Sequence, residues 1–229
     1  MNSRPPFLVY YGHDPALIPK LKQAEVLIFE SRGWSEEQLQ QLRSEGAKLI
    51  GYVSAFAWPD WLGSVKWWWG AKERDPEWDA WWMSLTSMGW RRQFNKMWRN
   101  VRGDLDGLFF DNLDRLQQDP KSLKHFITIL QTIREEWPDA HLIGNRGFDH
   151  WSRLGRHMDG ILFENMTDQA FSPKDKAWVM SQLGKLKKNQ VYALDYQTRR
   201  ASAEADKLCA AFPEIKYYCA PNEGLQGLS

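Results

Sequence analysis

Apolar residues in this chain recur in short, nearly continuous runs. Eight of them read as strands: Phe7–Gly12, Val26–Ser31, Lys48–Phe56, Gly107–Asn112, His141–Gly147, Gly160–Asn165, Val191–Tyr196 and Lys216–Ala220. They are rich in Val, Ile, Tyr and Phe and show little polar alternation, which is how strands covered on both faces read. Helical spacing fills most of the gaps. Ser35–Gly46 opens on a Ser cap with Gln38 three residues on. Gly89–Gly103 places Phe94, Met97, Trp98 and Val101 on one face, and Ser122–Trp137 does the same with Phe126, Ile127, Leu130 and Ile133. Ser172–Lys188 starts with Ser-Pro, a cap followed by a first-turn proline. Ala201–Phe212 is the last helix, and Pro15–Ala24 has room for one or two turns.

Strands that alternate with helices predict βα units and a parallel sheet. Eight of them predict an α/β fold of the closed (β/α)8 TIM barrel type; an open sheet is the alternative if one strand is misread. The 229 residues show no linker, so a single barrel over residues 1–229 is expected. One long interruption, Trp58 to Met88, follows the third strand. In a barrel that connection lies on the C-terminal face, where active sites are built.

Charge narrows the function classes. Lys and Arg total 30 and Asp and Glu total 29, so no nucleic-acid partner is expected. No apolar run is long enough to span a membrane. Two cysteines, Cys209 and Cys219, supply neither a disulfide framework nor a zinc site. His13, His141, His150 and His157 have no ligand spacing, and Gly-rich phosphate loops are absent, so neither metal nor cofactor is expected. No leader-like stretch precedes the first strand, which predicts a cytoplasmic location.

Two strands carry nearly the same sentence. Asp106–Asn112 reads D-G-L-F-F-D-N and Asp159–Asn165 reads D-G-I-L-F-E-N. They are the fourth and sixth strands, of one parity, and strands of one parity share a layer of inward side chains. If Asp111 points inward, so do Phe109 and Gly107; if Glu164 does, so do Leu162 and Gly160. Two carboxylates at a barrel mouth are what glycoside hydrolysis needs: one protonates the leaving oxygen, and the other attacks the anomeric carbon or activates water. The opening Asp-Gly pairs read instead as turn chemistry at the helix–strand junctions.

Tryptophan is concentrated in the interruption, with ten of 14 between Trp58 and Trp98. A flat apolar ring suits the C–H face of a sugar, and a long loop must also build its own core. Trp67 and Trp68 are candidates for substrate contact; Trp90 and Trp98 are expected to pack helix on barrel. Tyr10 and Tyr11 close strand one, and Tyr52 sits on strand three; Tyr11 and Tyr52 are candidates to face the pocket. Asn112 follows Asp111, and Asn145 and Arg146 follow the fifth strand.

These residues carry a family likeness. Gly51-Tyr52-Val53-Ser54, the run from Gly107 to Asp114, Phe163-Glu164 and Leu194-Asp195-Tyr196 resemble glycoside hydrolase family 114, the endo-α-1,4-polygalactosaminidase-like barrels. The resemblance covers nearly the whole chain. It implies retaining hydrolysis of an α-1,4-linked, galactosamine-rich polysaccharide, with Asp111 as nucleophile and Glu164 as acid/base. It also implies rim acids for a cationic polymer, for which Asp114, Asp195 and Glu223 are candidates, with Tyr196 beside them. Two stretches depart from the family pattern: Ala55-Phe56 after the third strand, and Trp78 to Leu85. A sugar-binding barrel without catalysis, a glycosidase for another α-glycan, and a partner-docking Trp loop are the rival readings.

Overall fold

The computed structural model describes residues 4–166, 177–178, 181–182, 186, 190–196, 202–221 and 225–226. In chain order the strands are β1 Leu8–Tyr10, β2 Val26–Phe29, β3 Lys48–Ser54, β4 Ala57–Pro59, β5 Glu73–Asp75, β6 Ala80–Trp82, β7 Gly107–Asp111, β8 His141–Asn145, β9 Gly160–Glu164, β10 Gln190–Tyr196 and β11 Lys216–Ala220. All but β4–β6 form one sheet in the order β1-β2-β3-β7-β8-β9-β10-β11, with every neighbour parallel. Across the seam Phe7 meets Tyr218 edge-on at 5.7 Å, and the Tyr11 N–H donates to the Leu225 carbonyl at 2.7 Å. The fold is a (β/α)8 barrel.

The expected strands are present: six have an end shorter by one or two residues, β10 begins one residue earlier, and β11 matches its expected span. α1 (Ile18–Leu21) follows a 3-10 turn at Pro15–Leu17, matching the short first connection. α2 (Glu36–Arg43) carries the full Ser35–Gln38 capping box. α3 (Met88–Arg102) starts at Ser87, whose side chain accepts from the Trp90 N–H. α4 (Leu123–Glu136) and α6 (Ser202–Ala211) match their expected spans. A one-turn helix, α5 (Trp151–Leu154), follows β8, where the sequence showed no periodicity. The helix expected over Ser172–Lys188 falls largely outside the described residues; residues 177–178 and 181–182 within it are helical.

Side-chain alternation sorts the apolar residues into two cores. Phe7, Val9, Val26, Ile28, Ile50, Phe109, Ile143, Leu162, Tyr192, Leu194 and Tyr196 fill the bore. The intervening residues, such as Leu27, Leu49, Leu108, Phe110, Leu142 and Phe163, pack outward against the helices. Trp90 and Trp98 are fully buried in that outer layer. Their indole N–H groups donate to the Ala55 carbonyl and to Asn95 Oδ1.

The two Asp-Gly pairs do the same job one strand pair apart. Asp106 Oδ2 accepts from the Leu49 N–H and Asp159 Oδ2 from the Leu142 N–H, both at 2.8 Å. Each carboxylate also holds an arginine, Arg43 and Arg134 respectively. Each pair therefore ties the start of its own strand to the preceding one at the bottom of the barrel. Gly107 is required by closeness: a Cβ there would sit 1.9 Å from the His141 carbonyl oxygen.

The Trp58–Met88 connection is an ordered subdomain. β4, β6 and β5 form a three-stranded antiparallel sheet on it. Three-residue strands are too short to display a period in sequence, so this sheet was not foreseen. Trp58, Trp69 and Trp90 meet at centroid distances of 4.8 to 6.1 Å and anchor the loop to α3.

Candidate active site

Strand ends on the C-terminal face bring the two carboxylates together. Asp111 ends β7 and Glu164 ends β9, with β8 between them. Parallel register pairs Phe110 with Gly144 and Asn145 with Leu162, so Asn145 of β8 rises level with Asp111 and below Glu164. Its Nδ2 donates to Asp111 Oδ1 at 2.9 Å and to Glu164 Oε2 at 3.2 Å. The amide nitrogen must face this way, since the amide oxygen would meet two acceptors. A single shared donor limits the separation of those two carboxylate oxygens to about 6 Å.

Each acid has further donors. Asp111 Oδ1 accepts from the Asn112 N–H at 2.7 Å, and Oδ2 accepts from the Tyr52 hydroxyl at 2.9 Å. Glu164 Oε1 accepts from the Tyr196 hydroxyl at 2.7 Å. Arg146 reaches Glu164 Oε2 at 3.4 Å and Asp114 Oδ2 at 3.7 Å. Tyr11 completes the wall, its ring edge-on to Tyr52 at 4.9 Å.

Burial sets the charge balance. It pushes the Asp111 carboxyl above the usual aspartate range; the Asn145 bond opposes this, the charge of Glu164 adds to it, and the Asn112 N–H and Tyr52 oppose it. Tyr11 and Tyr52 are held well above the ordinary phenol range, first by burial and then by the charge of Asp111. Both phenols stay protonated, which keeps Tyr52 a donor to Asp111 through the neutral range.

The turns leaving these strands share one device. Asn112, Arg146 and Asn165, which follow β7, β8 and β9, all adopt left-handed backbone with φ of 63°, 60° and 57°. Asn tolerates this region better than most residues, and strained turns gather at functional sites. The Asn after each acid thus turns the chain sharply away at the mouth. Asn112 Oδ1 also accepts from Ser54 Oγ at 2.6 Å, tying β3 to β7 there.

The other expected contacts divide. Asp114 lies at the rim, engaged by Arg146. Asp195 lies on the outward-facing parity of β10, because Leu194 and Tyr196 fill the bore and Asp195 alternates with them; it is buried. Glu223 lies outside the described residues. Trp67 and Trp68 are exposed and meet each other edge-on at 5.6 Å, with no ring contact to the carboxylate pair. Two residues at the mouth were overlooked, Glu30 and Arg32. Val26-Leu27-Ile28-Phe29-Glu30 carries the same signal as the other two strands, an apolar run closed by an acid.

A model of glycoside-hydrolase family GH114 matches residues 8–220. The chain belongs to glycoside-hydrolase family GH114. It is a glycoside hydrolase, and a carbohydrate substrate follows from that membership. Solved structures with the same barrel include the glycoside hydrolase domain of PelA from Pseudomonas aeruginosa. That domain is 18% identical, with a TM-score of 0.77 over 97% of this chain and 96% of that one. Aspergillus fumigatus Ega3, solved with galactosamine, is 14% identical, with a TM-score of 0.68 over 95% of this chain and 91% of that one. An α-amylase from Lactobacillus plantarum is more distant at 11% identity and a TM-score of 0.60, over 95% of this chain and 71% of that one. At these identities the likeness speaks to the fold. A search of curated proteins finds no match to this GH114 chain.

Proposed function

We propose that this GH114 enzyme hydrolyses an α-1,4-linked, galactosamine-containing polysaccharide with retention, using Asp111 as nucleophile and Glu164 as acid/base. The observation that carries the reading is the shared Asn145 donor. Retaining enzymes hold their carboxyl groups about 5–5.5 Å apart, and inverting ones about 6.5–9.5 Å. Two oxygens within about 6 Å favour the shorter, retaining spacing.

In this reading Glu164 protonates the departing glycosidic oxygen while Asp111 Oδ attacks the anomeric carbon. Glu164, now a carboxylate, then takes a proton from water, which attacks the same carbon and frees Asp111. The donors on Asp111 aim it and hold its ionised form against burial. Asn145 Oδ1 is buried without a hydrogen-bond partner among the described residues, and a substrate hydroxyl or amine is the donor it suits. The galactosamine seen with the Aspergillus fumigatus relative supports the choice of sugar.

The test is reducing-end release from α-1,4-galactosamine polymers of graded acetylation, with the product anomer read by NMR. Wild type should release retained product. Asp111→Asn and Glu164→Gln should each lose about 10³-fold or more in kcat while staying folded. Inverted product, or activity that survives either substitution, overturns the assignment.

A further inference from the structure

Three residues at the barrel mouth have no part in the chemistry just described. Glu30 closes β2 on the parity of the bore and is buried. A buried carboxylate is costly unless it is paired and hydrogen-bonded. Arg32, two residues on, supplies the whole requirement. Its backbone N–H and its Nε donate to Glu30 Oε1 at 2.9 and 2.6 Å, and its Nη2 bonds Oε2. A forked pair of this kind fixes the plane of the guanidinium as well as its position.

That plane carries a tryptophan. The Arg32 guanidinium carbon lies 5.0 Å from the ring centroid of Trp61, within cation–π range. Trp61 nevertheless keeps 63% of its surface exposed, so one face rests on Arg32 and the other is open. The remaining exposed tryptophans of the loop differ. Trp67 and Trp68 lean on each other, and Trp78, equally exposed, has no ring or cation partner among the described residues. Trp61 alone among these four is fixed to the mouth. Parallel register pairs Phe29 with Gly51, so Glu30 comes level with Tyr52, whose hydroxyl bonds Asp111, which puts the platform on the β2–β3 flank of the carboxylates.

We infer that Trp61, clamped by Arg32 and Glu30, is a stacking platform for a sugar residue of the polymer beyond those held at the carboxylates. This rests on the function proposed above and extends it to a distal subsite. A rigid indole with one free face matches the apolar C–H face of a pyranose, and it costs little ordering entropy because the clamp orders it beforehand. The Arg32 charge is already matched by Glu30, so a cationic amino-sugar meets no unpaired positive charge there.

The experiment measures binding by calorimetry with the full chain carrying Glu164→Gln, using α-1,4-linked galactosamine oligomers from dimer to hexamer, free and N-acetylated. Adding Trp61→Ala should weaken the hexamer about tenfold, a loss of the size of one aromatic contact, with a far smaller change for the dimer. Trp61→Phe should recover part of that loss, and Trp78→Ala should change nothing. Equal affinity with and without Trp61 at every length, in a parent that binds, overturns the platform alone. A parent that binds no oligomer of either kind overturns the galactosamine reading and the platform together.

Discussion

Asp111 and Glu164 share one hydrogen-bond donor, the side-chain nitrogen of Asn145. The acids lie 53 residues apart in sequence, and the strand between their own supplies the atom that spaces them. Removing that atom leaves two carboxylates facing each other with less to hold them apart or to balance their charge. Asn145→Ala is expected to lower kcat by about 10- to 100-fold, in line with losing a charge-assisted bond to each acid. Asn145→Asp should be worse, since it places a third acid in the same layer. Steady-state kinetics of the two variants, with circular dichroism to establish folding, checks both.

The raised Asp111 carboxyl makes a signed prediction about pH. Its acidic limb in kcat/KM should fall above the ordinary aspartate range, because burial and Glu164 outweigh the bonds that favour ionisation. Asn145→Ala should move that limb further up. Stability follows the same linkage. A carboxyl raised on folding favours the native state below its unfolded pKa and loses that contribution as pH rises through its folded value. Asp111→Asn abolishes the titration, so the stability difference should move toward the variant as pH rises from the ordinary aspartate range through the raised folded value. Urea midpoints across that range would reveal the opposite trend if the group were instead lowered.

Arg32 is expected to matter to stability as well as to the platform it holds. Arg32→Met leaves Glu30 buried without its partner, and breaking such a pair costs about 3 kcal/mol. The double variant Arg32→Met, Glu30→Gln should regain much of that loss because no charge is left stranded. Denaturant midpoints of the single and double variants decide whether the cost comes from the stranded acid.

The tryptophans of the loop should behave in opposite ways under the same substitution. Trp69 is buried against Trp58 and Trp90, so Trp69→Ala should cost about 3–5 kcal/mol or release the loop from α3. Trp67 is 87% exposed, and Trp67→Ala should stay within about 0.5 kcal/mol. Thermal midpoints of the two variants give the comparison, and a large loss at Trp67 would mean a ring contact beyond that with Trp68.

The barrel and its two acids were legible because their signals are local. An apolar run closed by an acid states both the strand and the polar end of its bore face, and the duplicate runs at Asp106–Asn112 and Asp159–Asn165 state equal parity. The same signal at Val26–Glu30 passed unread, because it lacked the Asp-Gly opening that made the other two look alike. The role of those Asp-Gly pairs followed from turn chemistry, and the structure adds which backbone N–H each one holds.

What the linear order could not contain was everything that depends on neighbouring strands. Register between parallel strands is set by packing and by long-range hydrogen bonds. It therefore took the folded barrel to lift Asn145 between the acids and to aim the Tyr52 and Tyr196 hydroxyls at different carboxylates. Asp195 shows the same limit from the other side: the acid beside Tyr196 faces outward because strand alternation gives adjacent residues opposite sides. The tryptophans make the point by composition. Their number predicted both a loop core and exposed rings, but three-residue strands and ring-on-ring contacts carry no period. Only the tertiary structure decided that Trp69 is buried, that Trp67 and Trp68 lean on each other, and that Trp61 rests on an arginine at the mouth.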